Sequence, residues 1–150
     1  MIDGSNGPIE MKLYLDADVW LNFWLDEMLG FTPASHYLEE LLETAFRKKW
    51  TILISGATKM EIRKKGVAIE DVEEKLAEFK KAGLLEEIEA GKEDIEQAER
   101  IYGERKLHRS DALHAALCIR AETVLVTRTK HFDLVKDLVD IKKPEDLLEY

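Results

Sequence analysis

Short β-rich runs set between helix-length segments constrain this chain more than any other feature. Residues 13–15, 50–54, 84–88 and 123–127 read as strands, with a weaker run at 138–141. A strand that returns in the same direction needs a long crossover, so the pattern encodes β-α-β units and a parallel sheet. Helices then cover both faces of that sheet. The expected architecture is a three-layer α/β/α sandwich with a central, mostly parallel sheet of four or five strands. Residues 11–150 suffice to bury one core and are expected to form one domain. Residues 1–10 hold Asp, Gly, Ser, Asn, Gly and Pro and read as a flexible N-terminal tail, with Met11 as a second candidate start.

Between the strands, Trp20, Leu21, Phe23, Trp24, Leu25 and Met28 recur at roughly helical spacing and predict a strongly apolar helix over 18–29, closed by Gly30. Thr32 and Pro33 signal the start of a second helix running to Arg47 or Lys48, with Leu38, Leu41, Leu42, Ala45 and Phe46 on one face. Ser55-Gly56-Ala57-Thr58 turns into a helix that carries Met60, Glu61 and Ile62 and stops by Gly66. Further helices are expected over 69–82, 93–104 and 111–121, then a short one near 132–136 and a final turn at 144–148.

Ligands of open α/β sheets bind beyond the carboxyl ends of the strands, so acids at those ends are the candidates for chemistry. Asp16 ends the first strand and reads either as a metal-binding carboxylate or as a helix N-cap; Asp18 has the same two readings. Thr58-x-x-Glu61 matches a capping box, whereas a cap at Ser55 places Glu61 in the second turn, facing the strand ends. Ser110 or Asp111 opens a helix rich in alanine and leucine, and either can be its N-cap; an acid near so apolar a helix start is rarely left unpaired. His114, one turn later, reads as a core or surface residue. At the end of the last clear strand, Arg128, Lys130 and His131 suit either phosphate contacts or a solvated turn. His36 and His108 give no zinc pattern, Cys118 reads as packing, and there is no P-loop, nucleophile elbow or Gly-rich dinucleotide fingerprint.

The net charge of −9 argues against a broadly basic nucleic-acid binder, but the charge is unevenly spread. Residues 70–104 hold 13 acidic and 5 basic side chains, whereas residues 105–136 hold 7 basic and 3 acidic ones around Asp111. A lone cysteine excludes an intramolecular disulfide framework, and no apolar run approaches the roughly 20 residues needed to span a bilayer. A cytoplasmic protein without membrane contacts is expected. Trp20, Phe23, Trp24 and Tyr37 suit either core packing or the interface of a homodimer.

Taken in register, these pieces resemble the PIN domain family, the nuclease fold of VapC-type toxins and related RNA-processing enzymes. The matching segments are Leu13-Tyr14-Leu15-Asp16-Ala17-Asp18-Val19, Ser55-x-x-Thr58-x-x-Glu61-Ile62, Ser110-Asp111-Ala112-Leu113-His114-Ala115-Ala116 and Leu125-Val126-Thr127-Arg128-Thr129-Lys130-His131-Phe132. They follow the family's order over nearly all of residues 11–135. The resemblance implies a Mg²⁺- or Mn²⁺-dependent endoribonuclease that hydrolyses RNA phosphodiester bonds, as in the toxin of a toxin–antitoxin pair. RNA as substrate, an antitoxin as partner and a homodimer follow as expectations. Asp16, Glu61 and Asp111 fall on the family's acidic positions as catalytic metal ligands, and Asp18 adds a carboxylate where the family often has Asn or Ser. Ser55, Thr127, Arg128, Thr129 and Lys130 are expected against RNA phosphate or behind the ligands. Thr129 is a departure, because the family usually carries Asp or Asn there; Thr127, Asp18 and Asp133 are the candidates to compensate. The departure motivates an alternative, a PIN-fold RNA- or protein-binding module with weakened or absent catalysis. A third reading, Asp16 as a phosphoryl acceptor, lacks the catalytic lysine motif expected after a later strand.

Overall fold

The computed structural model describes residues 11–148, so the tail expected at residues 1–10 lies outside the described residues. In chain order the elements are β1 (Lys12–Leu15), α1 (Ala17–Trp20) with a 3₁₀ turn (Leu21–Phe23), a small hairpin of β2 (Met28–Leu29) and β3 (Thr32–Pro33), α2 (Ala34–Arg47), β4 (Thr51–Ser55), α3 (Gly56–Lys64), α4 (Ile69–Lys81), β5 (Leu85–Ile88), α5 (Lys92–Arg105), α6 (Arg109–Ala121), β6 (Val124–Val126), a 3₁₀ segment (Lys130–Val135), β7 (Ile141–Lys142) and a last 3₁₀ turn (Pro144–Leu147).

Five strands pair in parallel in the order β5-β4-β1-β6-β7. Tyr14 lies opposite Leu53 on one side and Leu125 on the other. From β1 the chain moves outward through β4 to β5, then returns to build β6 and β7 on the far side. The switch point of the sheet therefore lies between β1 and β6, and Asp16 emerges there with its N–H bonded to the Val126 carbonyl at 2.9 Å.

The alternation of β1 divides the core. Leu13 and Leu15 join Ile52 and Ile54 in packing against α1, α2 and α4, whose Trp20, Leu38, Leu41 and Leu76 are buried. Tyr14 faces the opposite way and joins Leu53 and Leu125 beneath α5 and α6, with Ile101, Ala112, Ala115 and Leu117. Leu38 and Leu41 are wholly buried, and each contributes about 1.5–3 kcal/mol of transfer free energy. Cys118 is buried in the second cluster, as packing requires.

Three expectations change. The helix over 18–29 stops after Trp20 and one 3₁₀ turn, and Gly30 does not close a helix but turns the β2–β3 hairpin at φ +66°. The cause is tertiary: the Asn22 amide donates to the Asp18 carbonyl and to Glu27, while its oxygen accepts from Arg128 Nε at 3.0 Å. Neither Ser110 nor Asp111 caps α6; His108 stands at the N-cap without a side-chain bond, and Asp111 sits inside the first turn. Phe46 leaves the buried face of α2 and lies half-exposed, edge-on to Phe79 with ring centroids 5.4 Å apart.

Candidate active site

Asp16, Asp18, Glu61 and Asp111 line one cleft of about 480 Å³ at the carboxyl end of the sheet. Each arrives there for a local reason. Asp16 is the N-cap of α1: its Oδ1 accepts from the Ala17 N–H at 2.8 Å, and its Oδ2 accepts from the Thr127 hydroxyl at 2.9 Å. Capping and metal binding by Asp16 are thus compatible, because a carboxylate oxygen that accepts one bond keeps a second lone pair. Ser55, not Thr58, caps α3, with its Oγ accepting from the Thr58 N–H at 3.1 Å. That removes the capping box, and Glu61 falls in the second turn, where its carboxylate reaches the cleft. Asp111 reaches it from the first turn of α6, with Oδ2 3.4 Å from His131 Nδ1.

Behind Glu61 runs a buried polar chain. His114, fully buried, sits 2.8 Å through Nε2 from Glu61 Oε1 and 2.6 Å through Nδ1 from the Tyr14 hydroxyl. The Tyr14 hydroxyl lies 2.7 Å from Ser55 Oγ and accepts from the Thr58 hydroxyl at 3.3 Å. A carboxylate only accepts, so Nε2 carries the proton, and in the neutral ring Nδ1 accepts from Tyr14. Asp16, Glu61 and His114 place potential ligand atoms within 4.8 Å of one another, whereas Asp18 and Asp111 line the same cleft outside that close group. Both ring nitrogens of His114 are nonetheless engaged, so it orients Glu61 and does not itself offer a lone pair to a cation. The sequence assigns His114 no role; its place one turn after Asp111 on the same helix face is the signal that points to one.

Negative charge is crowded in the cleft. Burial pushes the Asp18 carboxyl up to about 7, helped by the Asp16 charge and against the stabilising Arg128 N–H. Burial likewise raises Asp111, joined by Asp16 and Glu61, while His131 and His114 pull it down. Burial disfavours the His114 imidazolium, but the hydrogen bond and charge of Glu61 outweigh it and raise that group. Carboxyls crowded in this way repel one another, and a bound cation would relieve that repulsion. Their oxygens are the donors that a hard divalent cation takes.

The other sequence candidates are placed differently. Thr127 donates to Asp16 and accepts from the Thr129 N–H at 3.2 Å. Thr129 caps the following 3₁₀ segment, accepting from the His131 N–H at 3.2 Å. Arg128 is held by Asn22 and by Glu145, the latter at 2.9 Å, while its N–H donates to Asp18 at 3.1 Å. Lys130 and Asp133 are exposed. Lys64 and Lys65 line the cleft, and no motif in the sequence singles them out.

A sequence model of the family described as "PIN domain" matches residues 13–138. No curated protein matches the chain. Solved structures share its fold. FitAB bound to an IR36 DNA fragment is 18% identical with a TM-score of 0.59, covering 92% of this chain and 98% of its own. FitAcB from Neisseria gonorrhoeae is 17% identical with a TM-score of 0.58, covering 90% and 99%. VapBC2 from Rickettsia felis, bound to a DNA fragment from its promoter, is 20% identical with a TM-score of 0.59, covering 89% and 98%.

Proposed function

The chain belongs to the PIN domain family, whose members are generally nucleases, and from that premise we propose that it is a metal-dependent endoribonuclease hydrolysing RNA phosphodiester bonds. The observation that carries the reading is the convergence of Asp16, Glu61 and Asp111, from three distant segments, on one cleft at the switch point of the sheet. Asp16, Glu61 and Asp111, with Asp18 beside them, would hold Mg²⁺ or Mn²⁺. Such an ion, when bound, acidifies a water and neutralises charge developing on the phosphoryl oxygens. The protein's own part is orientation. Thr127 and the Ala17 N–H fix both oxygens of Asp16, and His114 fixes one oxygen of Glu61 and leaves the other free for the cleft. Ser55 and Tyr14 stand behind His114 and keep its ring in one tautomer.

The domain that does this spans residues 11–150 in this reading, and the protein works in the cytoplasm; no helix among the described residues is long and apolar enough to cross a membrane. The fold shared with FitAB and VapBC2 supports the further reading of a toxin neutralised by an antitoxin. The surface offered to an antitoxin or to a second copy in a homodimer is not Trp20, which is core, but the β2–β3 hairpin. There Met28 is 57% exposed and Phe31 fully so, with Leu25 and Leu29 beside them.

The test is cleavage of mixed RNA with Mn²⁺ by the protein and by its Asp16→Asn and Asp111→Asn variants. Metal-dependent cleavage lost in both variants is expected. Equal activity in all three, or none in any, rejects catalysis; the latter leaves the non-catalytic binding module that Thr129 motivates.

A further inference from the structure

We propose that the basic ridge formed by the second half of α3, with Lys64 and Lys65 at the mouth of the acid cleft and Arg63 beyond it, is the track along which single-stranded RNA enters. The proposal rests on the ribonuclease reading and names where its substrate lies. An acidic cleft repels a polyanion, so a cationic surface has to border it for a phosphodiester to come near. Most cations that could serve are already committed. Arg128 is pinned by Asn22 and Glu145, Lys59 is paired with Glu87, Arg109 with Glu99, Arg120 with Asp94 and Arg105 with Asp137. Among the described residues, Arg63, Lys64, Lys65 and Lys130 are exposed without an acidic partner, and of these only Lys64 and Lys65 line the cleft.

The cations at the end of α3 also complement the helix dipole. That accounts for basic residues there, but not for two of them lining the same cleft as four carboxyls in a chain of net charge −9. The shape agrees with the charge. Met60, 58% exposed, lines the acid cleft and also a neighbouring groove of about 800 Å³ whose wall includes Arg63. The two concavities meet along α3 with an apolar side chain between them. A strand that drops one phosphodiester toward Asp16 can thus rest a base on Met60 and continue past Arg63. Asp16 lies at the cleft floor and is only 7% exposed. A rigid A-form duplex carries its phosphates on a convex surface and cannot lower one to that depth, whereas a flexible single strand can.

The experiment measures binding, so it is independent of turnover. Fluorescence anisotropy follows a labelled oligouridylate of about 12 nucleotides against KCl concentration in an Asp16→Asn background. The expected result is that Lys64→Glu/Lys65→Glu weakens binding about tenfold at low salt and flattens the salt dependence by about 1.4 in the log–log slope, about 0.7 for each phosphate no longer neutralised. Lys49→Glu/Lys81→Glu makes the same charge change at the opposite, amino-terminal end of the strands, where α2 and α4 end before β4 and β5 begin. Equal losses from the two pairs, no binding by the parent, or tighter binding of a duplex than of the single strand overturns the proposal. Binding that obeys it without any cleavage by the unsubstituted protein would instead defeat the catalytic reading alone.

Discussion

Tyr14→Phe removes one oxygen from the middle of the buried chain behind Glu61 and leaves the ring packing untouched. In the wild type that hydroxyl sits 2.6 Å from His114 Nδ1 and 2.7 Å from Ser55 Oγ. Without it, Ser55 and Thr58 keep each other at 3.1 Å, but Nδ1 of a fully buried histidine is left without a hydrogen-bond partner. An unsatisfied buried polar group costs about 1–3 kcal/mol. In a chain of this size about 2 kcal/mol corresponds to a fall in Tm of roughly 4–8 °C. Urea unfolding should show the same loss with an unchanged m-value, because no new surface is exposed. The second effect is on the site. A looser His114 orients Glu61 less well, and Mn²⁺ affinity, read by electron paramagnetic resonance, should fall by about tenfold or more. His114→Gln, whose amide nitrogen reaches the position of Nε2, should retain most of that affinity, whereas His114→Asn, too short to reach Glu61, should not. Stability within about 0.5 kcal/mol of wild type for Tyr14→Phe would refute the reasoning, since the hydroxyl would then be worth no more than water in its place.

Asp94→Asn should destabilise the protein by about 1–2 kcal/mol, because the Asp94 carboxylate accepts from the Gly91 N–H at 2.8 Å at the start of α5 and from Arg120 Nε at 2.8 Å. Burial works against the Asp94 charge, but those two donors outweigh it and lower its pKa. Its contribution is therefore full above the ordinary carboxyl range and disappears as pH falls through the depressed value, which acid titration of Tm for wild type and variant will show. Arg128→Ala should cost about 2–3 kcal/mol in urea unfolding, since it leaves Asn22 and Glu145 without their shared partner, and the Arg128 and Glu145 side chains of that ion pair are only 15% and 28% exposed. Millimolar Mn²⁺ should raise Tm in the wild type and raise it much less in Asp16→Asn; equal shifts would separate the ion from the acid cleft.

Local pattern was enough for the sheet, because β1, β4 and β6 are apolar runs whose register follows from burial on both faces. It failed where a distant side chain overrode it. The apolar spacing of 18–29 is real, yet Arg128, more than a hundred residues away, anchors Asn22 and ends the helix early. The acids were visible as residue types at strand ends, and their convergence needed only the topology. The roles of Ser55 and Thr58 were ambiguous because both can cap; α3 starts directly after β4 at Gly56, so Ser55 is the cap and Thr58 lies inside the first turn with its hydroxyl on Tyr14. The phosphate-binding candidates illustrate the limit. Arg128 looked available in sequence, and what commits it is Glu145, which no local motif links to the site.

Thr129 poses the remaining problem, since its hydroxyl faces the His131 N–H and brings no charge into the cleft. Asp18 supplies charge from the other side of the switch point, held by the Arg128 N–H and 3.5 Å from the Thr127 hydroxyl. That position carries a cost without a cation. The carboxyl of Asp18 is raised from 3.8 to about 7, so between those values the folded chain binds more protons than the unfolded one. Stability of the metal-free protein therefore falls as pH rises through this window, by at most about 4 kcal/mol, and is level above it. Asp18→Asn removes the penalty, because its amide can donate to Asp16 while its oxygen still accepts from Arg128. Metal-free Tm in the variant should exceed wild type at pH 8 and match it near pH 4, and the variant should bind Mn²⁺ more weakly. If Asp18 replaces the absent acid, Thr129→Asp should restore the affinity of Asp18→Asn. A flat pH profile in wild type, or no restoration by Thr129→Asp, would show that Asp18 only anchors the Arg128 N–H and that three carboxylates alone define the site.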